Sequence, residues 1–171
     1  MITILSGLFI KNRDQFGNSD VRRAYGMLCS IVGIALNVFL FAGKYLAGVI
    51  SGSIAITAAF NNLSDAGSSF ISLVGFKFSG MKADADHPFG HGRIEYVSGF
   101  GVSMVIILMG IELFKTSIEK IFHPEPVETG ALAVGILVVS ICVKGYMCFY
   151  NRTVGKKIQS ETMKATAMDS M

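Results

Sequence analysis

The chain has 171 residues, of which 51% are hydrophobic and only 16% are charged, and its mean hydropathy is +0.55. This composition is too apolar for an ordinary soluble domain of this size, so we expect the lipid bilayer to be its solvent. The net charge of +3 gives no indication of a nucleic-acid partner. The three cysteines, Cys29, Cys142 and Cys148, form no CxxC pair, which argues against a disulfide framework or a zinc ribbon.

Residues 1–24 form an N-terminal segment that begins with a short apolar run, Met1 to Ile10, followed by basic residues. A signal peptide has the reverse order, with its positive charge first, so we expect no cleavage here. The run is too short to span a membrane, and an interfacial helix is the alternative.

Four longer apolar stretches follow, and each could cross a hydrocarbon core that needs about 20 residues. They predict an all-α, polytopic membrane helix bundle with spans at about residues 25–50, 54–76, 96–114 and 130–150. We expect a tight turn at Ser51-Gly52-Ser53, and the prolines of His123-Pro124-Glu125-Pro126 should end the third helix. A fifth helix begins at about residue 159 but is too short to span by Met171, so we expect the chain to be part of a longer protein.

The positions of the basic residues predict the orientation of the bundle. Four precede the first span, three lie between the second and third spans, and four follow the fourth span, whereas the opposite loops contain only Lys115 and Lys120. The positive-inside tendency therefore places the N-terminus, the second loop and the segment after Tyr150 in the cytoplasm. Lys44 and Lys144 lie within spans, where snorkelling or local pairing is expected.

The second span contains Asn61 and Asp65, which are four residues apart and so share one face of a helix. An ionisable group in the middle of a membrane is costly unless it faces a cavity, a partner or an ion, so Asp65 is a candidate functional residue. The alternative is a packing role for Asp65, paired with Lys44 or Lys144. Asp169, near the start of the fifth helix, would add a third oxygen donor if that helix packs against the second span.

The loop between the second and third spans contains Asp84, His87 and His91, a spacing that is common among metal ligands. A solvated polar loop that caps the third helix is the alternative. A membrane metalloenzyme built on the two histidines is a rival interpretation, but the loop lacks the HExxH spacing of such enzymes. A non-transporting membrane scaffold is a second rival, and it leaves the cost of Asp65 unexplained.

Three segments carry a resemblance to a known family. The runs at residues 53–69, 86–95 and 121–126 are similar to the cation diffusion facilitator family, and the likeness covers nearly the whole chain. The resemblance implies a six-helix membrane bundle followed by a small cytoplasmic domain, usually dimeric, that exchanges a divalent cation for protons. The protein would then be an antiporter and not an enzyme. Residues 25–171 would form an incomplete transmembrane domain, and the C-terminal cytoplasmic domain would be absent from this chain.

The resemblance also implies functional residues. It places a transport site on Asn61, Asp65 and Asp169, and a second cytoplasmic metal site, described for some members, on Asp84, His87 and His91. Asn61 stands where zinc exporters usually have aspartate, and Asp169 where they usually have histidine. Oxygen donors without imidazole favour Mn²⁺ over Zn²⁺.

The sequence is also similar to the bacterial manganese-exporting branch of the family, through Asn61 to Asp65 and through Arg23 to Gly26. We therefore expect a multi-pass protein of the bacterial cytoplasmic membrane, a homodimer at full length, that has no cofactor. The expected substrate is Mn²⁺, with Zn²⁺ or Fe²⁺ as alternatives.

Overall fold

The computed structural model describes residues 2–10, 14–51, 55–123 and 131–171. The described residues form six helices and no strand: α1 (Ile2–Phe9), α2 (Ser19–Ser51), α3 (Ala55–Ser79), α4 (Ile94–Phe122), α5 (Ala131–Lys157) and α6 (Glu161–Asp169). The predicted all-α class is confirmed. Most of the expected turn at residues 51–53, and the prolines expected to end the third helix, lie outside the described residues.

Three helices of the described chain are long and apolar enough to cross a membrane, at Ser19–Val49, Ile94–Phe122 and Val134–Lys157. Helix α3 has 25 residues, or about 37 Å of helix, and it carries polar side chains at its centre. Apolar side chains of α4 point outward, and Ile107, Leu108 and Ile111 are each at least 60% exposed. A bundle in lipid has this surface, so the chain is a multi-pass helical membrane protein.

Packing joins helices that follow one another in the chain and also helices that are distant in the sequence. Helix α2 packs along α3, α3 packs against α4, and α5 packs against both α2 and α6. Tyr25, Cys29, Phe76, Met147 and Met163 lie buried in one core cluster, which joins α2, α3, α5 and α6. This core fixes α5 next to the α2–α3 pair, and so determines which polar side chains of α3 and α5 can meet.

The short helix α6 turns back from α5 and lies against α3 and α4. Its N-cap is Ser160, whose hydroxyl accepts a hydrogen bond from the backbone N–H of Met163 at 3.3 Å. A side chain at Gly99 of α4 would place a Cβ 2.9 Å from Thr162 Oγ1, so this close approach of the two helices requires glycine. The result is that the last residues of α6 lie beside the middle of α3.

Candidate functional site

The polar centre of α3 has one buried face. Asp65 is 6% exposed and Asn62 is 1% exposed, whereas Asn61 is exposed. Ser68 and Ser69, one turn after Asp65, are also buried. The helical period therefore places Asn62, Asp65 and the serines on one face of α3, and Asn61 shares this face but is exposed.

Two lysines from neighbouring helices reach this stripe. Lys144 of α5 forms a salt bridge with the Asp65 carboxylate, in which its ammonium group donates a hydrogen bond to Asp65 Oδ2. Lys44 of α2 donates instead to the side-chain oxygen of Asn62, at 2.8 Å. If Asp65 has only a packing role, a salt bridge of this kind is expected. If Asp65 binds a metal ion, the ion has to displace the Lys144 ammonium group.

Asp169 of α6 meets α3 through Ser68. The Ser68 hydroxyl donates a hydrogen bond to Asp169 Oδ2, and it lies 3.0 Å from the backbone oxygen of Asp65. One turn further along α3, the hydroxyls of Ser72 and Thr166 are 2.9 Å apart and join the same two helices. The packing of α6 against α3 thus brings the carboxylates of Asp65 and Asp169 to the same place in the bundle.

Asp65 and Asp169 line one cavity of about 620 Å³. Its other charged lining residues are Lys44, Lys144 and Arg152. Asn61 is not among the described residues that line it. The structure therefore brings together two of the three expected transport-site residues. Lys144 and Ser68 are the direct partners of the two carboxylates. The sequence left Lys44 and Lys144 as equal candidates to pair with Asp65, and it gave no signal for Ser68.

The three loop residues form a compact cluster outside the helices. One ligand atom from each of Asp84, His87 and His91 lies within 4.8 Å of the others. The His87 backbone N–H donates to Asp84 Oδ1 at 2.6 Å, and this hydrogen bond is the main reason that the pKa of the Asp84 carboxyl is lowered. Asp84 is therefore a carboxylate at neutral pH, as metal ligation requires.

The orientation of His91 also suits ligation. Its Nδ1 lies 3.3 Å from the backbone oxygen of Lys82, which can only accept, so Nδ1 carries the proton in this contact. In the neutral imidazole the lone pair of Nε2 is then available to a cation, and Nε2 lies 3.6 Å from Asp84 Oδ2. Gly90 supplies the turn between the two histidines with a φ of +76°. This loop can hold a cation with two imidazoles and one carboxylate, and its exposure lets water complete the coordination shell.

The fold and the first of these sites define a polytopic helical membrane protein with carboxylates and ammonium groups inside the bundle. Residues 30–171 match the model of the cation efflux transmembrane domain. The chain belongs to this cation efflux family, which is one of transporters rather than enzymes.

Curated relatives agree with this assignment. The chain is 34% identical over 142 residues to an uncharacterized transporter of Methanocaldococcus jannaschii, covering 82% of this chain and 49% of that protein. It is 31% identical over 149 residues to the cation-efflux pump FieF of Salmonella paratyphi A, and 30% identical to FieF of Salmonella arizonae, in both cases covering 85% of this chain and 50% of the relative. The chain thus spans about half the length of these relatives. No solved structure matches it.

Proposed function

We propose that the protein exports divalent metal cations from the cytoplasm of a bacterium in exchange for protons, and that Mn²⁺ is the preferred substrate. The observation that carries the proposal is the meeting of Asp65 and Asp169 in one intramembrane cavity, on helices that are far apart in the sequence. Membership of the cation efflux family supports export, and the FieF relatives are cation-efflux pumps by name.

The proposed transport site consists of Asn61, Asp65 and Asp169. Asp65 and Asp169 supply the negative charge that a dehydrated divalent cation needs, and Asn61, one turn before Asp65 on the same face of α3, is proposed to add a neutral oxygen. All three donors are oxygens, which Mn²⁺ accepts readily and which do not give Zn²⁺ the nitrogen or sulfur ligands typical of its sites.

Proton coupling follows from competition for the same carboxylates. A proton and a divalent cation bind the same lone pairs of Asp65 and Asp169, so the arrival of a cation releases protons and its departure permits their return. The helices around the cavity then need only rock to open it to one side of the membrane or the other. The exporter would act in the cell membrane as a homodimer, as the family resemblance implies. Its N-terminus would be cytoplasmic, as the distribution of basic residues predicts.

Asp84, His87 and His91 form a proposed second metal site on the cytoplasmic side. Asp84 and His87 are exposed and His91 is partly buried, and the two imidazole ligands make the chemistry of this site differ from that of the oxygen-only transport site. We assign it an accessory role in delivering or sensing cations, because it lies in a loop rather than in the cavity.

Uptake of Mn²⁺, Zn²⁺ and Fe²⁺ into inverted membrane vesicles that contain the intact gene product tests this proposal. We expect Mn²⁺ uptake to exceed that of the other two ions, to require an acidic vesicle interior and to stop when an ionophore dissipates the proton gradient. Uptake that does not respond to the gradient would refute proton coupling. The absence of flux for all three ions from a correctly inserted protein would favour the scaffold interpretation.

A further inference from the structure

The salt bridge between Lys144 and Asp65 places an ammonium group where the proposed substrate has to bind. The side chain of Asp65 is 8% exposed and that of Lys144 is 21% exposed, so water screens this pair only weakly. A lysine ammonium and a divalent cation satisfy the same carboxylate oxygens. Binding of the cation to these Asp65 oxygens therefore weakens or breaks the contact with Lys144.

The pairing of lysines with polar partners is selective. Lys44 lines the same cavity, but its ammonium contacts the neutral Asn62 oxygen at 2.8 Å, whereas Lys144 contacts the carboxylate. The two lysines balance the formal charge of Asp65 and Asp169 before Arg152 is counted. A divalent cation that entered this balanced cavity would meet little net attraction unless an ammonium group moved away.

The ammonium group of Lys144 can change position. Its charge stands at the end of a flexible four-carbon side chain, and the adjoining cavity of about 620 Å³ has room for another position of the ammonium group. Because the lysine is part of α5, its effective concentration at Asp65 stays high, and it can bind Asp65 again once a cation leaves.

We propose that Lys144 is a built-in competitor of the transported cation for Asp65. It lowers the affinity of the site so that the divalent cation can be released, and it then pairs with the buried carboxylate that the cation leaves behind until a proton replaces it. This inference rests on the proposed function, because it takes Asp65 to be a ligand of the transported ion.

The test is direct binding of Mn²⁺ to the purified intact protein in lipid nanodiscs, measured by calorimetry. All variants carry His91→Ala, so that the loop cluster contributes as little binding as the substitution allows.

Lys144→Gln removes the competitor and should tighten Mn²⁺ binding about tenfold or more, since a buried carboxylate without a partner gains most from a cation. Lys44→Gln is the matched control, because it removes an equal charge from the same cavity without freeing a carboxylate, and it should change the affinity less than about threefold. Asp65→Asn should abolish intramembrane binding.

Different outcomes separate the inference from the function on which it rests. If Asp65→Asn abolishes Mn²⁺ binding but Lys144→Gln binds no more tightly than its parent, the competitor role is wrong and the transport site stands. Equal gains from Lys144→Gln and Lys44→Gln would also overturn it, because a general charge effect would then suffice. If Asp65→Asn binds Mn²⁺ like its parent, the proposed transport site itself fails.

A second measurement covers the case in which Lys144→Gln folds poorly. Mn²⁺ should raise the unfolding temperature of Lys144→Gln more than that of the parent, because the ion replaces the missing ammonium group at Asp65. Lys144→Arg keeps the charge and should leave both the unfolding temperature and the Mn²⁺ affinity close to those of the parent. A Lys144→Gln protein that Mn²⁺ does not stabilise would contradict the proposal.

Discussion

Separating the structural role of Asp65 from its chemical role requires a double-mutant cycle with Lys144. Asp65→Asn leaves the Lys144 ammonium in the bundle without its counter-ion, and removal of one partner from a buried pair typically costs about 3–5 kcal/mol. Lys144 is 21% exposed on its side chain and borders a cavity, so we expect the lower end, about 3 kcal/mol. Asp65→Asn with Lys144→Gln should recover much of this loss, because two amides can still hydrogen bond across α3 and α5. The expected coupling energy is about 2 kcal/mol.

Equilibrium unfolding in detergent micelles measures the free energy of unfolding of the wild type, the two single variants and the double variant. The control is the pair of Lys164 and Glu161 on α6, whose side chains are 45% and 62% exposed. An exposed pair three residues apart on a helix should show a coupling energy below about 0.5 kcal/mol. If Asp65 and Lys144 couple no more strongly than this surface pair, the salt bridge does not contribute to the fold and the reasoning from burial is refuted.

Three further predictions concern topology, the loop and metal choice. A reporter fused after Pro126 should be external and one fused after Lys157 cytoplasmic, and the reverse pattern would overturn the proposed direction of transport. His87→Ala should weaken transport by the intact protein without abolishing it, because water can replace a lost ligand in an exposed loop, and complete loss at normal expression would mean that the loop is the principal site. Asp169→His combined with Asn61→Asp should shift vesicle uptake from Mn²⁺ toward Zn²⁺, because imidazole supplies the nitrogen ligand that zinc prefers, and an unchanged preference would place metal selection elsewhere.

Features that depend only on residues close together in the sequence could be predicted best. A run of apolar residues specifies a membrane helix whatever its neighbours are, so the all-α bundle was predictable. The helix α2 starts at Ser19, before the expected apolar span at residues 25–50, because hydrogen bonding along a helix can continue past the apolar stretch into its polar end. Asp84, His87 and His91 could be grouped for a similar reason, since few residues separate them.

Partners on different helices could not be predicted in the same way. Lys144 and Asp65 are 79 positions apart in the sequence, and their contact depends on how α5 packs beside α2 and α3. Lys44 and Lys144 were equal candidates to pair with Asp65, and only the packed bundle assigns one to the carboxylate and the other to Asn62. The hydroxyl of Ser68 reaches Asp169 only because α6 turns back against α3. Long-range packing, not residue type, decides these contacts.

The central claim is that Asp65 binds the transported cation. Mn²⁺ uptake into inverted vesicles with an acidic interior, compared between the wild type and Asp65→Ala at matched expression, tests it most directly. Asp20→Ala is the control, because Asp20 is an exposed carboxylate at the start of α2 and should be dispensable. We expect Asp65→Ala to reduce uptake of every metal to the background of empty vesicles and Asp20→Ala to transport at the wild-type rate. Mn²⁺ uptake by Asp65→Ala at the wild-type rate would contradict the assignment of the transport site.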